Sequence, residues 1–160
     1  MLSQRTRYTM RALLHLADRY EQGPVQLSEI ASVQNIPPKF LTVMMSQMRR
    51  AGLVESLRGR EGGYWLAKPP AQITYGEIVR RTRGSLGLLP CASRLAYQQC
   101  DHCISEDKCR LHRVMLMVRD ETARILDNIS LADPIPEVVE YDVDTGAPEE
   151  DELAIGAPLA

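Results

Sequence analysis

The sequence is poor in aromatic residues and has no long apolar run. Its 160 residues include one Trp, one Phe and six Tyr, so aliphatic side chains and seven Met must supply most of any core. No eighteen consecutive residues are apolar, which predicts that no helix spans a membrane. The first residues also lack the apolar stretch of a signal peptide, so we expect a cytoplasmic protein without a membrane partner.

Basic residues are absent from the C-terminal end of the chain. Residues 133–160 contain nine Asp and Glu and no Lys or Arg, which predicts a disordered acidic tail. The net charge of -2 therefore hides an asymmetry: residues 1–90 carry 13 basic and 6 acidic side chains, whereas residues 91–160 carry 6 and 15. A basic N-terminal half is typical of a surface that binds a polyanion.

A catalytic pattern is also lacking. No candidate nucleophile has a convincing base partner. The Gly-rich segment 59–63 matches neither the dinucleotide-binding nor the P-loop motif, and no helix is predicted directly after it. We therefore expect that the chain is not an enzyme.

The N-terminal region has the periodicity of three helices. Apolar spacing predicts helices over about residues 3–21, 27–34 and 38–51, with Pro38 in the first turn of the third. The third helix is expected to turn four apolar side chains inward: Phe40, Leu41, Met44 and Met48. Two short helices joined by a tight turn, the second ending in basic residues, form the helix-turn-helix pattern of DNA-binding proteins.

Two strand-like runs follow at residues 53–57 and 64–67, joined by a Gly-rich tip that carries Arg58 and Arg60. A helix-turn-helix followed by a hairpin is a winged helix. We therefore predict a mainly α fold with a small β-hairpin wing, in which residues 1–70 form a winged helix-turn-helix DNA-binding domain.

The DNA contacts follow from this arrangement. Helix 38–51 is expected to enter the major groove, with Lys39 and Thr42 closest to the base edges, while the wing reaches the adjoining groove or the backbone. Basic side chains would contact phosphate groups. The full set of predicted DNA-binding residues is Arg7, Lys39, Thr42, Arg49, Arg50, Arg58, Arg60 and Tyr64.

A short helix over about residues 75–82 precedes a long amphipathic helix over about 109–129. The long helix carries an apolar seam with steps of three and four residues: Leu111, Met115, Val118, Thr122, Ile125 and Ile129. No later helix is predicted to cover this seam, so we expect it to pair with its copy in a homodimer; packing onto its own domain is the alternative. Residues 71–132 are thus predicted to form a cysteine-bearing loop and a dimerisation helix.

All four cysteines lie within nineteen residues, at Cys91, Cys100, Cys103 and Cys109. Thiolates are soft ligands that suit zinc or an iron–sulfur cluster, and four of them complete either site. His112 follows Cys109 by about one helical turn and is an alternative fourth ligand. A thiol redox switch without metal also stays open, as does an adaptor protein in which the acidic tail is the active part.

Five segments carry a family resemblance: residues 2–8 (LSQRTRY), 27–31 (LSEIA), 37–41 (PPKFL), 50–54 (RAGLV) and 58–64 (RGREGGY). With the cysteines that follow them, they resemble the IscR family of bacterial winged-helix regulators over about residues 2–132. The resemblance implies homodimers that bind palindromic operators in double-stranded DNA and usually repress transcription. It also implies a [2Fe-2S] or [4Fe-4S] cluster that senses iron, redox state or nitric oxide.

The resemblance further implies a ligand set. Cluster ligands in the family are three cysteines plus a variable fourth group, and Cys91, Cys103 and Cys109 match the three best, because Cys103 and Cys109 keep the family's five-residue gap. His112 occupies the place of a histidine ligand found in some members. Cys100 is an extra candidate, since the first gap is longer here than in the family.

Overall fold

The computed structural model describes residues 3–103 and 105–134, so the predicted acidic tail lies almost entirely outside the described residues. The described part is mainly α-helical with one two-stranded antiparallel sheet, as predicted. Its elements are α1 (Gln4–Asp18), α2 (Leu27–Val33), α3 (Pro38–Arg50), β1 (Val54–Leu57), β2 (Gly63–Leu66), α4 (Tyr75–Arg83) and α5 (Arg110–Asp127). In these two ranges, we find no helix that is both long and apolar enough to cross a bilayer.

Helix α1 begins at a capping serine and ends earlier than the periodicity predicts. The Ser3 hydroxyl accepts a hydrogen bond from the Thr6 backbone N–H at 3.1 Å, which satisfies a donor that the first turn leaves free. Glu21 and Gly23 have φ angles of 63° and 96°, in the left-handed region where an α-helix does not continue. The helix predicted to reach residue 21 therefore ends at Asp18.

The core joins the three N-terminal helices to the wing and to α4. Its fully buried large side chains are Leu13, Leu16, Ile30, Leu41, Met44, Met45, Met48, Leu53, Ile73 and Ile78. The prediction that Phe40 faces inward is wrong, because its side chain is 41% exposed and its ring packs edge-on against Tyr8 with centroids 5.9 Å apart. Met45 is buried instead. The ring of His15, in α1, is also buried, and its Nε2 lies 3.2 Å from the Glu29 carboxylate.

The wing is attached to the body through the part of β2 that lies next to the tip. Strands β1 and β2 pair from Val54 with Leu66 to Leu57 with Gly63. Val25, which precedes α2, also exchanges two backbone hydrogen bonds with Tyr64, at 2.8 and 2.9 Å. A Cβ at Gly63 would lie 2.4 Å from the Val25 carbonyl oxygen, so this close approach requires glycine. Strand β2 is thereby fixed relative to the helix-turn-helix.

Helix α5 is held against the winged helix at its C-terminal end. The Tyr75 N–H donates to the Ile129 carbonyl at 3.0 Å, and the Leu131 N–H donates to the Ile73 carbonyl at 2.9 Å. Arg80 of α4 donates two hydrogen bonds to the Asp127 carboxylate, each of 2.6 Å. These contacts join α5 to α4, which in turn packs against α1.

No residue of α5 is buried, and its apolar side chains divide between two faces. The inward face is half-buried and includes His112, Met115, Leu116, Arg119, Thr122, Ala123 and Leu126. The outward face exposes Leu111, Val114, Met117, Val118 and Ile125. The predicted seam is therefore partly wrong: Met115 and Thr122 lie on the inward face, and Ile129 follows the end of the helix. An exposed apolar face nevertheless exists, and we call these five residues the outer stripe.

Candidate functional site

Helix α3 presents one polar face to solvent. Side chains three and four residues apart align on one side of a helix. On this face of α3 they are Lys39, Thr42, Val43 and Ser46. The Thr42 hydroxyl donates to the Pro38 carbonyl at 2.9 Å and keeps its acceptor lone pairs. Val43 is 57% exposed and was not predicted, although its position beside Thr42 on the same face was a usable signal.

A groove lies between α3 and the wing. Its lining residues are Thr42, Ser46, Arg49, Ser56, Leu57, Arg58 and Tyr64. The groove therefore brings together four of the predicted DNA-binding residues, Thr42, Arg49, Arg58 and Tyr64, whereas the sequence pattern did not predict Ser46, Ser56 and Leu57. Arg49 donates to the Ser56 hydroxyl at 3.4 Å, which aligns it along the groove.

The electrostatics of this groove suit a polyanion. Its lining includes two guanidinium groups and four hydroxyl groups, and no acidic side chain. Such donors are the ones that contact phosphate oxygens in protein–DNA interfaces. The remaining predicted DNA-binding residues do not line the groove but are all exposed: Arg7, Lys39, Arg50 and Arg60.

The four cysteines lie in an irregular segment, residues 90–109, which we call the cysteine segment. It begins with a 3-10 turn, Pro90–Ala92, in which Cys91 is buried. Cys103 and Cys109 are half-buried and Cys100 is exposed, and all four are free thiols. The segment ends at Cys109, the N-cap of α5, whose Sγ accepts a hydrogen bond from the His112 N–H at 3.4 Å.

The thiols are close enough to alter one another's protonation. A hydrogen bond with Cys91 is the main cause that raises the pKa of Cys100. Desolvation is the main cause that raises the pKa of Cys103, and the charges of Cys100 and Cys109 add to it. Neighbouring negative charge therefore disfavours the thiolate forms of Cys100 and Cys103, and a bound cation would offset this effect.

A second hydrogen bond organises the middle of the segment. The Tyr97 hydroxyl donates to the Glu106 carboxylate at 2.5 Å, and this bond is the main cause that raises the pKa of Tyr97 to about 12. Tyr97 therefore stays neutral at physiological pH and links the part of the segment before Cys100 to the part before Cys109.

The donor set fits a soft metal centre. Across residues 3–103 and 105–134, no three His, Cys, Asp or Glu side chains lie in an arrangement that could hold a metal ion. His112 Nδ1 is nevertheless buried without a hydrogen-bond partner in the described residues, and the backbone N–H of the same residue donates to the Cys109 thiol. A buried polar nitrogen left unpaired costs free energy that a ligand would offset. Four thiols and an imidazole nitrogen are ligands of iron–sulfur clusters and zinc.

The helix-turn-helix, the exposed polar face of α3 and the basic groove beside the wing define a winged-helix DNA-binding regulator of transcription. The family model of Rrf2, described as an iron-dependent transcriptional regulator, matches residues 2–137. The chain therefore belongs to the Rrf2 family, of which the IscR-type regulators it resembles are part.

Individual relatives agree with this assignment. An Rrf2-like HTH-type transcriptional regulator of Rhodobacter capsulatus is 40% identical over 136 residues, covering 83% of this chain and 91% of that protein. The structure of T. potens IscR is 33% identical, with a TM-score of 0.64 over 83% of this chain and 84% of that one. CymR, the global cysteine regulator of B. subtilis, is 30% identical, with a TM-score of 0.67 over 82% and 92%. These relatives are regulators, in agreement with the expectation that the chain is not an enzyme.

Proposed function

We propose that the chain is a homodimeric repressor that binds a palindromic operator and senses iron, redox state or nitric oxide through a Cys-ligated iron–sulfur cluster. The observation that carries this proposal is the buried Nδ1 of His112, which has no hydrogen-bond partner in the described residues and belongs to the first turn of the helix that Cys109 caps. Family membership supports it, because the Rrf2 description includes iron dependence.

DNA recognition uses the exposed face of α3 and the wing. Helix α3 enters the major groove, where Lys39 and Thr42 lie closest to base edges. Arg49 and Arg58 contact phosphates along the groove between α3 and the wing, with Tyr64 beside them. The other predicted phosphate contacts are Arg7, Arg50 and Arg60, all exposed.

The outer stripe is the dimer surface. Its five apolar side chains are between 37% and 68% exposed, a contiguous set of the kind that monomeric surfaces rarely leave uncovered. A second copy of α5 is a self-complementary partner, since a two-fold axis places the same residues on both sides. Two-fold symmetry also gives two α3 helices that read inverted half-sites, which is why the operator is a palindrome.

The cluster ligands are Cys91, Cys103 and Cys109, with His112 or Cys100 as the fourth. When bound, the cluster supplies a centre whose redox state and integrity respond to iron, oxidants and nitric oxide. The chain's own contribution is positional, because Cys109 caps α5 and His112 lies on its first turn. A structural zinc site and a thiol switch without metal are the alternatives, and each retains the DNA-binding function in a cytoplasmic protein.

The test is an absorption spectrum with iron, sulfide and zinc analysis on protein purified without oxygen. Visible bands together with iron and sulfide support the cluster, colourless protein with zinc supports the structural site, and neither metal leaves the thiol switch. Cys103→Ser should abolish the bands, and the comparison of Cys100→Ser with His112→Ala identifies the fourth ligand, because only its loss changes the spectrum strongly. Deleting residues 135–160 without loss of DNA binding would contradict the adaptor alternative.

A further inference from the structure

The cysteine segment is attached to α5 at both of its ends. The first attachment is Cys109, which caps the helix. The second is Arg119, whose Nη1 donates to the Ala92 carbonyl at 2.9 Å, one residue after Cys91. His112 and Arg119 lie seven residues apart on the inward face, or about 10 Å along the helix axis. Both ends of the segment therefore contact the same face of one helix, opposite the outer stripe.

Arg119 is unusual for an arginine in that its side chain is only 11% exposed. Besides Ala92, its guanidinium donates to Asp120 at 2.6 and 2.9 Å, and Asp120 also accepts from Arg94 at 3.3 Å. The guanidinium group is planar, so an arginine side chain loses little conformational entropy for each hydrogen bond that it forms. Its charge-assisted hydrogen bonds therefore hold the partner groups in a defined geometry.

The peptide that Arg119 holds is confined from the other side as well. A Cβ at Gly87 would lie 3.1 Å from the carbonyl carbon and oxygen of Ala92 and from the nitrogen of Ser93, so the preceding loop packs tightly against this peptide. Ala92 has no exposed surface and Cys91 is only 6% exposed. Gly87 and Arg119 therefore both contact the peptide between Ala92 and Ser93, which directly follows the buried Cys91.

We propose that Arg119 is a positioning residue for Cys91. It holds the buried thiol in register with Cys109 and His112, so that a metal centre is assembled across the helix that carries the outer stripe. This inference rests on the proposed function for its metal-binding consequence, but the positioning itself is a property of the metal-free chain. Release of a metal centre would leave Arg119, together with the Arg94–Asp120 pair, as side-chain links between the start of the segment and α5.

The test measures how fast each cysteine of the full-length, metal-free protein reacts with N-ethylmaleimide, resolved by peptide mass spectrometry. Arg119→Ala should accelerate the labelling of Cys91 by about tenfold or more, since a hydrogen bond from a charged donor contributes at least that factor to local opening. Arg119→Lys, which keeps one donor, should fall between this variant and the wild type. The matched control is Arg124→Ala, because Arg124 pairs only with Glu121 on an exposed part of the same helix.

An unchanged Cys91 rate in Arg119→Ala would overturn the inference, and so would an equal acceleration in the Arg124→Ala control. Should Arg119→Ala lose its helical circular dichroism, Arg119→Gln replaces it with the same two outcomes. The absorption spectrum of protein purified without oxygen separates the positioning role of Arg119 from the proposed sensing function. If Arg119→Ala accelerates the labelling of Cys91 but the protein binds no cluster, Arg119 positions Cys91 and the proposed sensing function is wrong. If the protein binds a cluster but Arg119→Ala does not change the labelling of Cys91, the sensing function is supported and the positioning role is wrong.

Discussion

Replacing Arg58 tests the DNA interface at a residue with little structural role. Its side chain is exposed at the wing, lines the groove beside α3, and forms no ion pair with any residue in the two described ranges. Arg58→Ala should therefore leave the fold intact, because surface substitutions that break no such contact change the unfolding free energy by less than about 0.5 kcal/mol. Any loss of affinity then reports the DNA contact itself.

The magnitude follows from counterion release. Each phosphate neutralised adds about 0.9 to the log–log slope of affinity against salt. A dimer presents two copies of Arg58, so the variant should flatten the slope by about 1.8. The affinity advantage of the wild type should accordingly shrink about 12-fold between 50 and 200 mM salt. A change of only about 0.9 would indicate that a single copy contacts phosphate.

Fluorescence anisotropy with a labelled duplex over this salt range measures the slope. Any duplex sequence suffices, since the electrostatic contribution is independent of sequence. The control is Arg124→Ala. This substitution also removes one positive charge, but from α5, which is far along the chain from every residue that lines the groove. If the slopes of Arg58→Ala and Arg124→Ala were equal, the charge of Arg58 would not contact phosphate, and our placement of the wing on DNA would be wrong.

Three further predictions concern stability, each measured by urea unfolding. Arg80 lowers the pKa of Asp127 through their hydrogen bonds, so the ion pair stabilises the fold above the carboxyl's unfolded pKa and is lost as pH falls through the folded one. Both groups are about one-third or more exposed, so Arg80→Ala should cost at most about 1 kcal/mol at pH 6, and this cost should shrink as the pH falls below the ordinary pKa of an Asp carboxyl; a pH-independent cost would contradict the pairing. Thr74 caps α4 by accepting from the Glu77 N–H at 3.1 Å, so Thr74→Ala should cost about 1 kcal/mol, and Thr74→Ser much less. Leu41 is fully buried in α3, so Leu41→Ala should cost about 2–5 kcal/mol, and a cost near zero would mean that α3 does not pack as described.

Local patterns were sufficient for the winged helix but not for the contacts of α5. The helices and the hairpin follow from apolar spacing, Pro38 and the Gly-rich tip, and the structure confirms them within a few residues. Residues four positions apart on an α-helix, such as Leu111 on the outward face and Met115 on the inward face, differ by only about 40° around the axis. Spacing alone therefore assigned Met115 to the outward face.

The side-chain links to α5 could not be predicted for a different reason. Arg119 and Ala92 are 27 residues apart in sequence, and Arg80 and Asp127 are 47 apart. No local period encodes such pairs, because they depend on how the cysteine segment returns to the helix. The inward position of Arg119 in an otherwise amphipathic helix was the one available sign. The metal ligands stay a prediction.

The hydrogen bonds between Val25 and Tyr64 have a consequence for operator evolution. They make the backbone of the wing strands part of the rigid body that carries α3, and Gln26 also donates to the Arg60 carbonyl at 3.1 Å, whereas the side chains of the tip, residues 58–61, are exposed. Base pairs beneath α3 are then read by side chains with a fixed separation and should tolerate few changes. Base pairs beneath the tip meet arginines that can adjust to neighbouring phosphates. Among natural binding sites we therefore expect the centre of each half-site to be nearly invariant and its wing-facing edge to drift.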